Sequence, residues 1–172
     1  MIKNNKKSGF TLVEVVLILI MISIGLTAIM SLALKSASLN NEKKNMFSSI
    51  FLTEEGLEIM NNIRDTNMIT FNDYNNWDLA FIPATDDQDF YKVDYNSASA
   101  TSISKIDEAP LWMDSSGFYS HATSSTSTPF YRLIMVRTHD EYSEITSWVR
   151  WTGKGENYDF RLVTHLYDLS FQ

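Results

Sequence analysis

Cysteine is missing from the sequence, so the chain forms no disulfide bond, no cysteine-based zinc site and no thiol nucleophile. Proline is scarce, and because no proline occurs before residue 83, nothing forces a helix in the first 82 residues to break. Positive charge is also in short supply, since 14 lysines and arginines accompany 21 acidic residues and leave a net charge of −7. This balance argues against nucleic acid as the main binding partner.

Recognisable catalytic motifs are absent as well. The three histidines, His121, His139 and His165, do not have the spacing of metal ligands. The chain also has no H-E-x-x-H, no glycine-rich phosphate loop and no G-x-S-x-G. Serine is abundant in the second half, but no base that would activate a serine nucleophile can be identified. We therefore predict a protein that is not an enzyme and needs no cofactor.

Hydrophobic residues are concentrated in one run near the start of the chain. Residues 10–34 contain a single formal charge, on Glu14. A helix of this length spans about 37 Å at about 1.5 Å per residue, which exceeds the hydrocarbon core of a membrane, about 30 Å. Residues 1–9 form a basic leader with three lysines, among them Lys6 and Lys7. This charge bias predicts a cytoplasmic N-terminus and an extracytoplasmic body.

Glu14 is the unusual residue of the apolar run, because a carboxylate inside a membrane span costs roughly 2.5–3.5 kcal/mol. No Lys, Arg or His that could compensate its charge occurs between Phe10 and Leu34. The compensating cation must therefore come from another molecule or from processing of the chain. Cleavage after Gly9 would create such a cation by freeing the α-amino group of Phe10.

The sequence KKSGFTLVE, which starts at Lys6, resembles the prepilin signal of type IV pilins and type II secretion pseudopilins. The resemblance extends over about residues 6–34 and includes the basic residues Lys6 and Lys7 of the leader. It implies that a prepilin peptidase cuts between Gly9 and Phe10 and N-methylates Phe10.

The same resemblance implies a role for Glu14, which would pair with the Phe10 ammonium of a neighbouring subunit during assembly. The implied partners are other pilin subunits, the prepilin peptidase, an inner-membrane assembly platform and membrane lipid, with no direct binding to nucleic acid. The mature protein would be a structural subunit of a pilus or pseudopilus at the cell surface. Its long Ser/Thr-rich loops and the missing disulfide favour a minor subunit. A pilus, a type II secretion system and a DNA-uptake system are all open at this point.

Two other interpretations of the apolar run are open. A secretory signal peptide has a shorter run followed by small residues, which Ser31 and Ala33 could imitate. A signal anchor would leave an uncleaved single-pass membrane protein whose extracytoplasmic body binds a ligand. The carboxylate of Glu14 argues against both interpretations, because neither requires a charge inside the membrane.

Beyond the apolar run, the helix is predicted to become amphipathic over residues 35–65 and to end near Arg64. Apolar residues recur there at helical spacing, and charged residues mostly occupy the other faces. We expect this apolar stripe to pack against the protein's own sheet, with binding of a partner in a groove as the alternative. The stripe contains Met46, Ile50, Leu57 and Met60 and is widened by Phe47, Phe51 and Ile63.

Short strands and loops are predicted after the helix. Residues 66–129 are expected to be a loop-rich region with short strands, one of them over 90–95. Residues 96–129 are expected to form a long surface connection that is partly ordered around Trp112, Phe118 and Tyr119. Residues 130–172 contain three segments rich in β-branched and aromatic residues with short connections, which predicts an antiparallel β-meander. The predicted fold class is therefore α+β, with a long N-terminal helix packed against a small C-terminal antiparallel sheet, the layout that the resemblance to pilins also implies.

Two groups of charged residues in the body have further interpretations. Asp86, Asp87 and Asp89 could bind calcium, because hard cations favour clustered carboxylates. They lack the spacing of an EF-hand loop, and a solvated turn is the expected alternative. Four arginines could form a local basic face or, as we expect, pair with neighbouring subunits: Arg132, Arg137, Arg150 and Arg161.

Overall fold

The computed structural model describes Gly9 and residues 11–71, 88–123, 126–139 and 142–167. The chain divides into two compact units, Met1–Lys43 and Lys44–Gln172. Helix α1 (Leu12–Phe71) begins in the first unit and ends in the second, and it continues past Arg64, the predicted end. Its uninterrupted course follows from the absence of proline, since the only glycines within it are Gly25 and Gly56.

Seven antiparallel strands form one sheet in the described part of the second unit. Strands β5, β6 and β7 are long and pair in chain order, which confirms the predicted meander and the α+β fold class. The turn between β6 and β7 places Lys154 and Gly155 at positive φ, 53° and 82°, as a tight hairpin turn requires. The strands are β1 (Asp89–Lys92), β2 (Thr101–Ile103), β3 (Pro110–Met113), β4 (Tyr119–Ser120), β5 (Thr126–Thr138), β6 (Tyr142–Gly153) and β7 (Glu156–Tyr167).

The segment 96–129 is more ordered than the predicted surface connection. It contributes β2, β3 and β4 to the sheet, and β3 and β4 lie where partial order was expected. Strand β3 pairs with β5 on the edge opposite β6. Leu111 of β3 is buried and belongs to a core cluster with Leu52 of α1 and Phe130 of β5, so the Ser/Thr-rich segment is anchored to the core as well as to the sheet.

The face of α1 that packs against the sheet was predicted only in part. Met60 and Ile63 are buried as expected, whereas Met46, Phe47 and Phe51 are 50%, 61% and 67% exposed. The buried face instead follows a helical spacing through smaller and aliphatic residues: Ser49, Leu52, Thr53, Gly56, Ile59, Met60, Ile63 and Asn67. The small residues allow the helix backbone to approach the sheet, which leaves the bulky side chains on the other side.

Gly56 marks the closest approach of α1 to the sheet. A Cβ atom on this residue would lie 2.5 Å from Oγ of Ser147 and 3.1 Å from Cδ1 of Ile134. The hydroxyls of Ser49 and Thr53 bond to carbonyls of their own helix, at 2.7 and 2.6 Å, so the small polar residues of this face need no partner from the sheet.

We expect Gly56→Ala to destabilise the body by about 1–3 kcal/mol, because overpacking outweighs the helix propensity that alanine gains. Adding Ser147→Ala removes the nearest atom and should restore most of the loss. Gly25→Ala is the matched control, since nothing lies within 4 Å of its added methyl group. Chemical unfolding of the full chain in detergent, followed by tryptophan fluorescence, measures the three variants. A Gly56→Ala chain as stable as the parent would contradict this packing.

Candidate assembly site and polar core

Thr11 caps the N-terminus of α1. Its hydroxyl accepts a hydrogen bond from the backbone N–H of Glu14 at 3.3 Å, and its carbonyl accepts one from Val15 at 3.2 Å. Thr11 and Glu14 have the Ser/Thr-x-x-Glu spacing of a capping box, and an acid in the first turn also interacts favourably with the helix dipole. The sequence analysis missed this local role, although the T-x-x-E pattern was present.

The apolar part of α1 has almost no cover within the described chain. Its large hydrophobic residues are between two-fifths and four-fifths exposed, and the segment is long and apolar enough to cross a membrane. The hydroxyls of Ser23, Thr27 and Ser31 donate to helix carbonyls at 2.7–2.9 Å, so the polar groups of this segment are satisfied internally. Such a surface is suited to lipid or to other apolar helices.

The carboxylate of Glu14 has no ion-pair partner in the part of the chain that the structure describes. Every other residue from Thr11 to Leu34 is uncharged. Gly9 is exposed at the start of the described chain, whereas Phe10, Lys6 and Lys7 lie outside the described residues. The cleavage between Gly9 and Phe10 and the role of Glu14 therefore stay predictions.

Arg132 is the central residue of a polar cluster inside the body. Its side chain is fully buried and donates to the carbonyls of Leu52 at 3.3 Å and Val93 at 2.9 Å. One guanidinium nitrogen also lies 3.1 Å from the carboxylate of Glu55, whose side chain is 32% exposed. Burial lowers the pKa of Arg132, an effect that Glu55 and Asp94 oppose. The guanidinium stays charged and joins α1, the end of β1 and β5.

His121 lies beside this cluster. Its backbone N–H donates to Asp94 at 2.6 Å, and its Nδ1 is 3.0 Å from the carbonyl of Pro110. Burial and the nearby charge of Arg132 lower the pKa of His121 to about 4, against the opposing effect of Asp94. The imidazole is therefore neutral at pH 7, with Nδ1–H donating to Pro110.

Pairing with a neighbouring subunit, the expected role of the four arginines, is wrong for Arg132, which is buried and paired with Glu55 of its own chain, and the alternative of a basic face is wrong for it as well. The three remaining arginines lie on the face of the sheet that points away from α1. Arg137 lies 3.6 Å from Glu144, and Arg150 lies 2.9 Å from Asp159. Partial burial raises the pKa of Asp159, but the hydrogen bonds from Arg150 and Trp148 and the charges of Arg150 and Arg161 outweigh it, so that the pKa is lowered overall.

The calcium interpretation stays a prediction. Asp86 and Asp87 lie outside the described residues, and Asp89 begins β1. The described residues contain no group of three or more His, Asp or Glu side chains arranged to hold a metal ion.

Two of the histidines lie against an aromatic ring. His139 stacks on Tyr142 with ring centroids 4.6 Å apart, and the ring of His165 lies 4.9 Å from that of Tyr142.

Comparison with known proteins gives a match that lies at the start of the chain. Residues 4–30 match the family model of the prokaryotic N-terminal methylation motif. No curated protein and no solved structure matches the chain. The match covers residues 4–9 of the leader, Glu14 and all of the apolar run except its last four residues. The N-terminal segment of this chain therefore carries the N-terminal methylation motif, which is the signal of type IV pilins and pseudopilins.

Proposed function

We propose that this protein is a structural subunit, of the minor pilin or pseudopilin kind, in a type IV pilus-like filament. The observation that supports the proposal is an apolar helix that lies largely within the methylation motif and that, in the described chain, has a nearly uncovered surface and a carboxylate, Glu14, without an ion-pair partner. A body held together by its own core requires no such surface. An assembly of parallel helices does, because each helix covers the apolar surface of its neighbours.

The proposed processing follows from the position of Glu14. A prepilin peptidase would cut after Gly9 and methylate Phe10, and the new α-ammonium of Phe10 would pair with Glu14 of a neighbouring subunit. Apolar packing would provide most of the association energy, whereas the ion pair would fix the axial register, because a buried carboxylate without a cation is unfavourable.

The proposed location also follows from the signal. The precursor would span the inner membrane once, with its leader in the cytoplasm and residues 35–172 outside, before an assembly platform moves it into a surface filament. The action of the peptidase on this chain is the only chemistry that the proposal requires, and the proposed role of the body is to make contacts.

An uncleaved membrane-anchored binding protein is the alternative function, and replacement of Gly9 separates the two. We expect Gly9→Leu to block cleavage, so that the protein accumulates about 1 kDa heavier than the mature form, the mass of a nine-residue leader. Immunoblotting of cells that express a prepilin peptidase measures the shift. Gly25→Ala, a glycine replacement inside the helix, should be processed normally. If the parent chain and Gly9→Leu migrate identically with the peptidase present, the proposal fails.

A further inference from the structure

The outer face of the sheet carries an arginine that forms no ion pair with the residues that the structure describes. Arg161 of β7 is exposed and lies across from Trp148, with its guanidinium carbon 4.2 Å from the centre of the indole ring. Among the described residues no carboxylate lies within ion-pair distance of Arg161, although its charge is near enough to Asp159 to help lower the pKa of that carboxyl; Asp159 itself is bonded to Arg150. A guanidinium held over an aromatic ring can still donate hydrogen bonds from its N–H groups.

A depression of about 280 Å³ adjoins Arg161 on this face. Its lining is mostly polar, and the other arginine in it, Arg137, is already bonded to Glu144 and to Gln88. Among the described residues that line the depression, which also include Glu144, Arg161 is the cation that forms no ion pair and can bind a ligand from outside. The site favours a carboxylate, because guanidinium and carboxylate groups match in charge and in planar geometry.

Helix α1 carries a second depression of opposite character, with a volume of about 260 Å³. Glu55 and Glu58 line it beside Tyr95. Glu55 is bonded to Arg132, whereas Glu58 is exposed and forms no ion pair within the described chain. The rings of Tyr95 and Phe118 stack with their centroids 5.1 Å apart, and the two residues are 43% and 55% exposed. The ring of Tyr95 lines the same depression as Glu58. A carboxylate next to an aromatic ring is a suitable site for a cationic side chain.

We infer that these two surfaces bind each other in successive copies of this chain, with Glu58 of one subunit paired to Arg161 of the next. The inference rests on the proposed function, which requires subunits to associate, and on the complementarity of the two depressions. A contact between two different surfaces is heterologous, so each subunit keeps one surface free for the next and the assembly stays open, as in a filament. Two copies joined through identical surfaces would instead place like charges together.

Charge reversal tests the pairing directly. We expect Arg161→Glu and Glu58→Arg each to reduce the polymer recovered by sedimentation at least about tenfold, because each creates a like-charge contact. The double variant should recover assembly to near the parent amount. Glu156→Arg replaces an exposed acid at the start of β7; it is the matched control and should assemble normally. Near-ultraviolet circular dichroism checks that every variant is folded. Loss of assembly in the double variant as severe as in the single variants would overturn the inference.

Crosslinking separates this inference from the proposed function. Because the sequence contains no cysteine, only the introduced cysteines can react. Copies with Glu58→Cys and copies with Arg161→Cys are mixed during assembly and treated with a short bismaleimide reagent. The mixture should give a crosslinked dimer, and neither variant alone should. A dimer from one variant alone, a crosslink only to another protein, or polymers with no crosslink would overturn the contact while leaving the filament proposal intact. Absence of both polymer and leader cleavage would instead contradict the proposed function and this inference together.

Discussion

Replacement of Arg132 by alanine is expected to destabilise the body by about 3–5 kcal/mol, the typical cost of breaking a buried, hydrogen-bonded ion pair. The substitution removes the donors for the carbonyls of Leu52 and Val93 and leaves a cavity between α1 and the sheet. Because a domain is stable by only about 5–15 kcal/mol, a large fraction of the molecules would unfold at moderate temperature.

Two variants isolate the cause of this effect. Arg132→Met keeps most of the volume but none of the donors, so its loss should lie between those of the alanine variant and the parent. Arg161→Ala removes an exposed arginine of the same sheet and should cost less than about 1 kcal/mol. Denaturant unfolding of the full chain in detergent gives the three values. If Arg132→Ala were no less stable than Arg161→Ala, the buried cluster would not stabilise the body as described.

Replacement of Glu14 by valine is expected to abolish assembly while leaving membrane insertion intact. Valine makes the helix more apolar, so insertion becomes easier by roughly the 2.5–3.5 kcal/mol that a charge costs at the membrane centre. The neighbouring Phe10 ammonium would then be buried without a partner, which opposes filament growth. The measurement is the fraction of protein that sediments with sheared filaments, compared with the fraction in the membrane.

The cap at the start of α1 supplies the necessary control. Glu14 also takes part in the capping interaction with Thr11, so its replacement could weaken the first turn of the helix. Thr11→Ala removes the cap and keeps the carboxylate, and it should assemble nearly normally. Glu54→Val replaces an exposed acid further along the same helix and should also assemble. Normal incorporation of Glu14→Val, or an equal defect in Thr11→Ala, would contradict the pairing role.

The N-terminal part of the molecule could be predicted from the sequence because its information is local. A basic leader, a glycine, an aromatic residue and an acid follow one another within a few positions, and the apolar run behind them specifies a helix by composition alone. The three long strands were predictable for a similar reason. Their β-branched and aromatic residues are contiguous, and their turns are short.

The helix face could not be predicted, because the sequence pattern favours large apolar residues whereas packing depends on shape. In the sequence pattern, Phe47 and Phe51 widen the apolar stripe. The sheet approaches the helix at Gly56 instead, where only a hydrogen atom fits beside Ser147. Hydrophobicity indicates which residues can be buried. It does not indicate how close two backbones come.

The role of Arg132 was hidden for a different reason. Its partners lie far away in sequence, on Leu52, Glu55 and Val93, and two of the three bonds are to backbone carbonyls, which have no sequence signature. An arginine in a strand is usually exposed, so a position on the outer face was the natural expectation. Only the tertiary arrangement distinguishes Arg132 from Arg150 and Arg161.

In the proposed assembly, the positive charge that pairs with Glu14 is created by removal of the leader, and every other proposed step depends on this claim. Mass spectrometry of the mature protein isolated from cells with an active prepilin peptidase tests this claim most directly. We predict an N-terminal peptide that begins at Phe10 and carries one added methyl group on its α-nitrogen. Recovery of the protein in filaments with the leader lysines Lys6 and Lys7 still attached would contradict it.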